Sequence, residues 1–151
     1  MIYIIPDYQR IYSWNKSQVE ELLEDIDIGI SNSSNHFFGT MMLNVSRKEK
    51  EGIIEIIDGQ QRFTTITMIL YSILEMYNLP RFANIEKISG RICTLNNKLA
   101  KTNDDGEIVD NKLTLGDGNK EFFKEYIIES LNDNIKKENI ISHYKKEKSI
   151  V

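Results

Sequence analysis

Cysteine is almost missing from this chain. One cysteine, Cys93, cannot form an internal disulfide, so the composition points to an intracellular, cytoplasmic setting. Histidine is equally sparse. His36 and His143 are far apart, and with a single cysteine they do not supply the spacing of a zinc site. No run reaches membrane-spanning length without charge. Residues 1–5 are apolar but too short for a signal peptide, and no basic leader precedes them. There is no excess of positive charge: 19 Lys and Arg stand against 23 Asp and Glu, a net charge of −4. That balance argues against broad electrostatic capture of DNA or an anionic membrane, while leaving room for a local basic cleft. Internal repeats and low-complexity tracts are absent.

What is present suits a soluble domain. An apolar fraction of 40% is enough for a core, and 28% charged residues is ordinary. The 151 residues allow one domain, or one domain with an incomplete second unit. The chain begins inside an apparent strand and ends on Ser149-Ile150-Val151 without a cap. Both features read as a piece of a longer protein, with apolar edges through which it can form a homodimer.

Residues 1–5 read as a strand ended by Pro6, and 7–14 as a polar and aromatic loop. Ser17-x-x-Glu20 reads as a capping box. The following helix carries Val19, Leu22, Leu23, Ile26 and Ile30 at helical spacing, which predicts a buried face. Residues 31–35 are a loop by composition. Strands over 37–45 and 53–57, joined by the charged turn 47–52, make the clearest hairpin. A helix follows over 59–77 and stops before Pro80, with Phe63, Ile66, Ile69, Leu70, Ile73, Leu74 and Tyr77 as its apolar stripe. Residues 82–100 suggest a helix interrupted near Gly90. A turn over 103–106, a strand over 112–115 and a helix capped by Asp117 complete the pattern. That last helix carries Phe122, Phe123, Tyr126, Ile127 and Leu131. The tail over 135–151 holds five lysines against two glutamates and reads as an exposed helix or arm, a solvated face.

The chemistry concentrates in Asp58-Gly59-Gln60-Gln61-Arg62. A polar pentapeptide between a strand and a helix sets a carboxylate, two amides and a guanidinium beside free helix N–H groups, an arrangement that suits an anion. A second polar turn, Pro6-Asp7-Tyr8-Gln9-Arg10, adds another carboxylate, glutamine and arginine. Two readings of Asp58 stand side by side. With Gln61 three residues on it forms a helix-capping pair. It can also hold a metal such as Mg²⁺ through water. Gly59 permits a tight turn and close backbone approach. Gln60 and Gln61 are poor acids and bases and suit orientation of a phosphate, a sugar or a water. Arg10 and Arg62 suit phosphate, because guanidinium keeps its charge and offers a planar fork; a surface ion pair is the ordinary fate of an arginine. Tyr8, Tyr12 and Trp14 can stack on a base or pack as a loop knot, and Trp14 favours packing. Gly39 inside a strand suggests a backbone approached by a ligand or a helix. His36 reads as structural.

These segments resemble a known family. Ile5-Pro6-Asp7-Tyr8-Gln9-Arg10-Ile11-Tyr12-Ser13-Trp14, Leu22-Leu23-Glu24-Asp25-Ile26, Phe37-Phe38-Gly39-Thr40 and Ile57-Asp58-Gly59-Gln60-Gln61-Arg62-Phe63-Thr64-Thr65 resemble, in order and spacing, the N-terminal domain of GmrSD-type modification-dependent restriction proteins. That family falls within the ParB/sulfiredoxin-like fold group. The resemblance covers roughly residues 1–78, with a less specific match over 112–131. It implies an α+β fold: a ParB/sulfiredoxin-like small mixed sheet with surrounding helices over 1–115, and a partial, truncated C-terminal helical extension over 116–151. It implies defence against phage or foreign DNA, with DNA reached through the full-length protein. It further implies nucleoside triphosphate hydrolysis with Mg²⁺ beside a C-terminal HNH-type nuclease domain. No His-Asn-His constellation occurs here. On that reading Asp58 anchors the metal or water, and Asp58, Gln60, Gln61 and Arg62 carry catalysis. Asp7, Tyr8, Gln9, Arg10, Gly59 and Arg62 bind the nucleotide. Two alternatives remain open: a ParB-like DNA nuclease domain, and a non-enzymatic module that senses modified DNA or docks a partner.

Overall fold

The computed structural model describes residues 1–32, 36–104, 108–116 and 123. Eleven regular elements lie within these residues. In chain order they are β1 (Ile2–Ile4), α1 (Lys16–Ser31), β2 (Met42–Asn44), α2 (Lys48–Glu51), β3 (Ile53–Asp58) and α3 (Gln60–Tyr77). A 3₁₀ turn (Pro80–Phe82), α4 (Ile88–Leu99), β4 (Ala100–Thr102), β5 (Ile108–Asn111) and β6 (Leu113–Thr114) follow. The class is α+β, as expected. Four strands form a mixed sheet in the order β2-β3-β1-β6, and β4-β5 form a separate two-stranded sheet.

β1 lies parallel to both β3 and β6, with Tyr3 opposite Ile54 on one side and Leu113 on the other. β2 runs antiparallel to β3, so the expected hairpin exists. Its connection is tighter than a plain turn: α2 is a single helical turn ended by Gly52 in the left-handed region at φ 69°. Arg47 donates to Glu51 and Glu55 across it. Those carboxylates raise the guanidinium pKa, and Arg47 holds Glu51 below the ordinary carboxylate value.

The core lies where the sheet meets α3 and α4. Ile5, Ile56, Leu113 and Leu115 meet Tyr71 and Leu74 of α3 and Leu95 and Leu99 of α4. Ile56 is completely buried, as the alternation of β3 demands. Phe123 reaches the same core and meets the Tyr71 ring edge-on at 6.2 Å. The helix expected around Phe123 and the lysine-rich tail otherwise lie outside the described residues. No helix among the described residues is long and apolar enough to cross a membrane.

Several expectations need correction. α1 is capped by Asn15, not Ser17: Asn15 Oδ1 accepts from Ser17 N at 2.9 Å and Gln18 Oε1 accepts from Asn15 N at 2.8 Å. Asn is at least as good a cap as Ser, and the box sits two residues earlier. Of the expected α1 stripe only Leu22 is buried; Leu23 and Ile30 are exposed. The strand expected over 37–45 shrinks to Met42–Asn44, because Gly39 stands at φ +88° and breaks the extended run. Gly90 does not interrupt a helix; it lies in the first turn of α4. β4 and β5 escaped the sequence reading, since neither shows a clean alternation.

Tyr71 ties the two sheets together. Its hydroxyl donates to Asn111 Oδ1 at 2.9 Å and to Leu99 O at 3.5 Å, and it is only 3% exposed. Burial pushes its pKa from the ordinary value near 10 up to about 12. The folded chain keeps the phenol neutral where the unfolded chain ionises. This contribution is therefore whole below pH 10 and is lost as pH climbs toward 12. In thermal melts across that window, Tyr71→Phe is expected to lose stability less steeply with pH than the parent. Equal slopes would sink the assignment.

Candidate functional site

Two chain segments leave the sheet at one edge. β1 and β3 are parallel neighbours, so the loop after β1 and the turn after β3 emerge side by side. Ligand sites in α/β sheets favour such carboxyl edges. With Ile4 opposite Glu55, β3 outruns β1. Pro6 brings no N–H to the ladder. The Gln9 amide fills the gap, with Nε2 donating to Ile57 O at 3.0 Å.

Between these segments lies a cleft of about 720 Å³, lined by Gln9, Arg10 and Trp14 from the first loop, Phe37, Gly39 and Thr40 from the loop before β2, and Asp58, Gly59, Gln60, Gln61 and Arg62. The volume falls in the usual range for small-ligand sites. Both expected arginines therefore face one cavity. Asp7 and Tyr8 do not line it. Asp7 turns toward the end of β6, with its Oδ1 2.8 Å from where a Cβ on Gly116 would stand. Tyr8 points to solvent and is largely exposed.

Gly59 makes the turn possible. It is the N-cap of α3 with φ +84°, and a Cβ there would stand 2.7 Å from Met41 Cγ. Backbone conformation and space both exclude a side chain. Asp58 is the last residue of β3, not the cap, and no side chain caps α3 at all. The capping reading of Asp58 is thereby removed: Gly59 takes the N-cap position and leaves the exposed carboxylate at the cleft. The first helical bond runs from Phe63 N to Gly59 O at 2.9 Å. The N–H groups ahead of it remain at the cleft end of the helix.

The paired glutamines differ. Gln61 is 4% exposed and holds the first loop. Its Oε1 accepts from Ser13 N at 2.8 Å and Trp14 N at 3.3 Å, and its Nε2 donates to Ile11 O at 3.1 Å. Every one of these bonds fixes loop backbone, so Gln61 shapes the cleft wall. Gln60 is 7% exposed yet bonds none of the described side chains or backbone, and its amide lines the cleft. One turn on, Thr65 extends the bracket. Its hydroxyl bonds Gln61 O at 2.8 Å and lies 2.9 Å from Tyr12 Oη. Buried Thr64, Thr65 and Thr67 thus replace the upper part of the apolar stripe expected on α3. Back-bonding to the preceding turn lets such hydroxyls sit inside a helix.

Arg62 lies flat against Gly39. A Cβ on Gly39 would stand 2.8 Å from both terminal nitrogens of the guanidinium. The backbone at Gly39 is closely approached, as expected, but by an arginine and from within a loop. Phe37 and Thr40 lie in a segment that carries the family resemblance but were given no role at the site; their place at the cleft follows from the Gly39 turn. Among the described residues no group of three or more Asp, Glu, His or Cys gathers to hold a metal. One exposed carboxylate, Asp58, fits a Mg²⁺ that draws its remaining ligands from phosphate and water.

The bracket yields a direct test. Gln61→Ala leaves two loop N–H groups and a carbonyl without partners, at a cost of about 2–4 kcal/mol. Gln60→Ala breaks no such bond and is expected to cost about 1 kcal/mol or less. Hydrogen exchange at the Ser13 and Trp14 amides should accelerate in the first variant alone. Unchanged protection there would refute the bracket.

The chain is 32% identical over 83 residues to an uncharacterized protein, MJ0686, of Methanocaldococcus jannaschii, covering 45% of this chain. The chain spans only 14% of that relative's length. The family described as "GmrSD restriction endonuclease, N-terminal domain" matches over residues 1–151. From β1 through the Asp58–Arg62 turn to the last residue, this chain belongs to the family of GmrSD restriction endonuclease N-terminal domains.

Proposed function

We propose that this domain binds a nucleoside triphosphate with Mg²⁺ in the cleft and hydrolyses it, and that hydrolysis regulates DNA restriction by another part of a longer protein. The observation that carries the reading is the convergence of two guanidiniums, from separate segments, on the uncapped N-terminus of an 18-residue helix. Oriented N–H groups and the helix dipole favour an anion there. Arg10 and Arg62 add charge-assisted donors for phosphate oxygens. Gln9 and Gln61 keep the wall in place, and Gln60 offers an amide to orient water. Asp58 would hold the Mg²⁺, which when bound neutralises phosphate charge. In the reaction, water adds to the terminal phosphorus, the bond to the bridging oxygen breaks, and a diphosphate and inorganic phosphate leave. The arginines stabilise charge that spreads over the transferred group. DNA enters as a partner through the family's description as restriction endonucleases, and an HNH-type nuclease domain only through the resemblance drawn from the sequence.

Arg62→Ala is expected to weaken nucleotide binding about ten- to a hundredfold, the worth of a charged hydrogen bond. Alanine is the better helix former, so the melting temperature should hold. Asp58→Asn should also keep stability, since Asp58 caps nothing, while turnover in the full protein falls at least about tenfold. Full turnover in Asp58→Asn would end the carboxylate's catalytic role. Nicking of DNA without nucleotide would replace hydrolysis by nuclease chemistry.

A further inference from the structure

Phe37 is 76% exposed, and its ring lines the cleft. The core does not explain it. Its neighbours show why it stands there. His36 turns back to α1, with Nε2 3.0 Å from Asp25 Oδ1. His36 Cβ lies 3.2 Å, and Phe38 Cζ 3.8 Å, from where a Cβ on Gly29 would stand. The two rings meet edge-on at 5.3 Å. Phe37, between them, is left on the cleft side. Trp14 lines the same cavity from the first loop, its backbone N held by Gln61. The ring pairs among the described residues are Tyr3 with Phe63, His36 with Phe38, Tyr71 with Phe123 and Tyr77 with Phe82. Neither cleft ring has an aromatic partner among them.

We propose that Phe37 is the residue that stacks on the nucleobase, with Trp14 as a second apolar wall. The anion end of the ligand then lies at Arg10, Arg62 and the start of α3, and its flat, unsaturated end at Phe37. This deepens the nucleotide reading and rests on it. An exposed ring between two neighbours whose side chains are held against α1 and each other suits a base, since every base presents a π-face and stacking needs no directed donor. A bare polyphosphate would leave Phe37 in water. The cleft thereby separates nucleotides from inorganic phosphates of equal charge.

Calorimetric titration with Mg²⁺ and each of ATP, GTP, CTP and UTP, beside inorganic tripolyphosphate, tests both levels. The parent chain should bind the best nucleotide at least about tenfold more tightly than tripolyphosphate. Phe37→Ala should lose about tenfold for the nucleotide and nothing for tripolyphosphate, and Phe37→Trp should restore it. Being exposed, Phe37 can be replaced without unfolding the domain. Arg62→Ala should weaken both probes together. Equal loss of both probes in Phe37→Ala, or no loss of either, overturns the stacking role. Parent affinity as high for tripolyphosphate as for every nucleotide overturns it too, while leaving the phosphate site intact. No binding of any probe by the parent overturns the phosphate site and the stacking role together.

Discussion

Strands β1 and β3 run side by side in the same direction, so the chain leaves both at one edge of the sheet. Everything polar in the cleft follows from that pairing. An antiparallel pair would send the Arg10 loop and the Arg62 turn to opposite ends. The parallel pair also needs a long return path, which α1 and the β2 hairpin provide. That path brings the loop carrying Phe37, Gly39 and Thr40 across the open edge and gives the cleft its third wall.

The loop of eleven residues between β1 and α1 has no ladder of its own, and its backbone groups still require partners. Glutamine supplies them. Gln9 extends the β3 ladder past Pro6, and Gln61 satisfies Ile11, Ser13 and Trp14. These amides turn an irregular loop into a wall while leaving Arg10 exposed. Of the residues read as one functional motif, part builds the site and part faces it. Sequence order does not separate the two kinds. On a helix, Gln60 and Gln61 point about 100° apart, and only the position of the first loop decides which amide it takes.

The strand–turn–helix around Asp58 was legible because β3 alternates and α3 is long, with a proline beyond its end. The existence of the hairpin was legible for the same reason. The cap of α1 was displaced by two residues because Asn15 and Ser17 are both competent caps, and local chemistry does not rank them. The burial of α1 was overestimated: periodicity reports which residues share a face, not whether another element covers it. The β4–β5 sheet was not legible, since its strands are three and four residues long, and the Tyr71 bond to Asn111 beside it joins residues forty apart in the chain. The Arg62–Gly39 contact was half legible. Glycine announced a close approach, but nothing local named the side chain that makes it.

The start of α3 goes against the ordinary preferences of a helix. A helix N-terminus favours an acidic residue and a capping side chain. α3 has neither an acidic first turn nor a side-chain cap, and places Arg62 in that turn. Gly59 adds a left-handed backbone hemmed in by Met41, and Gln60 bonds none of the described residues and lines the cleft. These features all fall within residues 59–62. α1 carries a complete capping box and α2 ends on a left-handed glycine, whereas α4 also starts without a side-chain cap, on Lys87 at φ 68°. What sets the start of α3 apart is that this conflict coincides with a cleft lined by Arg10, Arg62 and Asp58, and such conflicts gather where a site is shaped for something other than folding. An anion at that point would pair with the helix dipole, Arg62 and Arg10 at once. The helix start is least favourable in the empty protein, and bound phosphate would relieve it most.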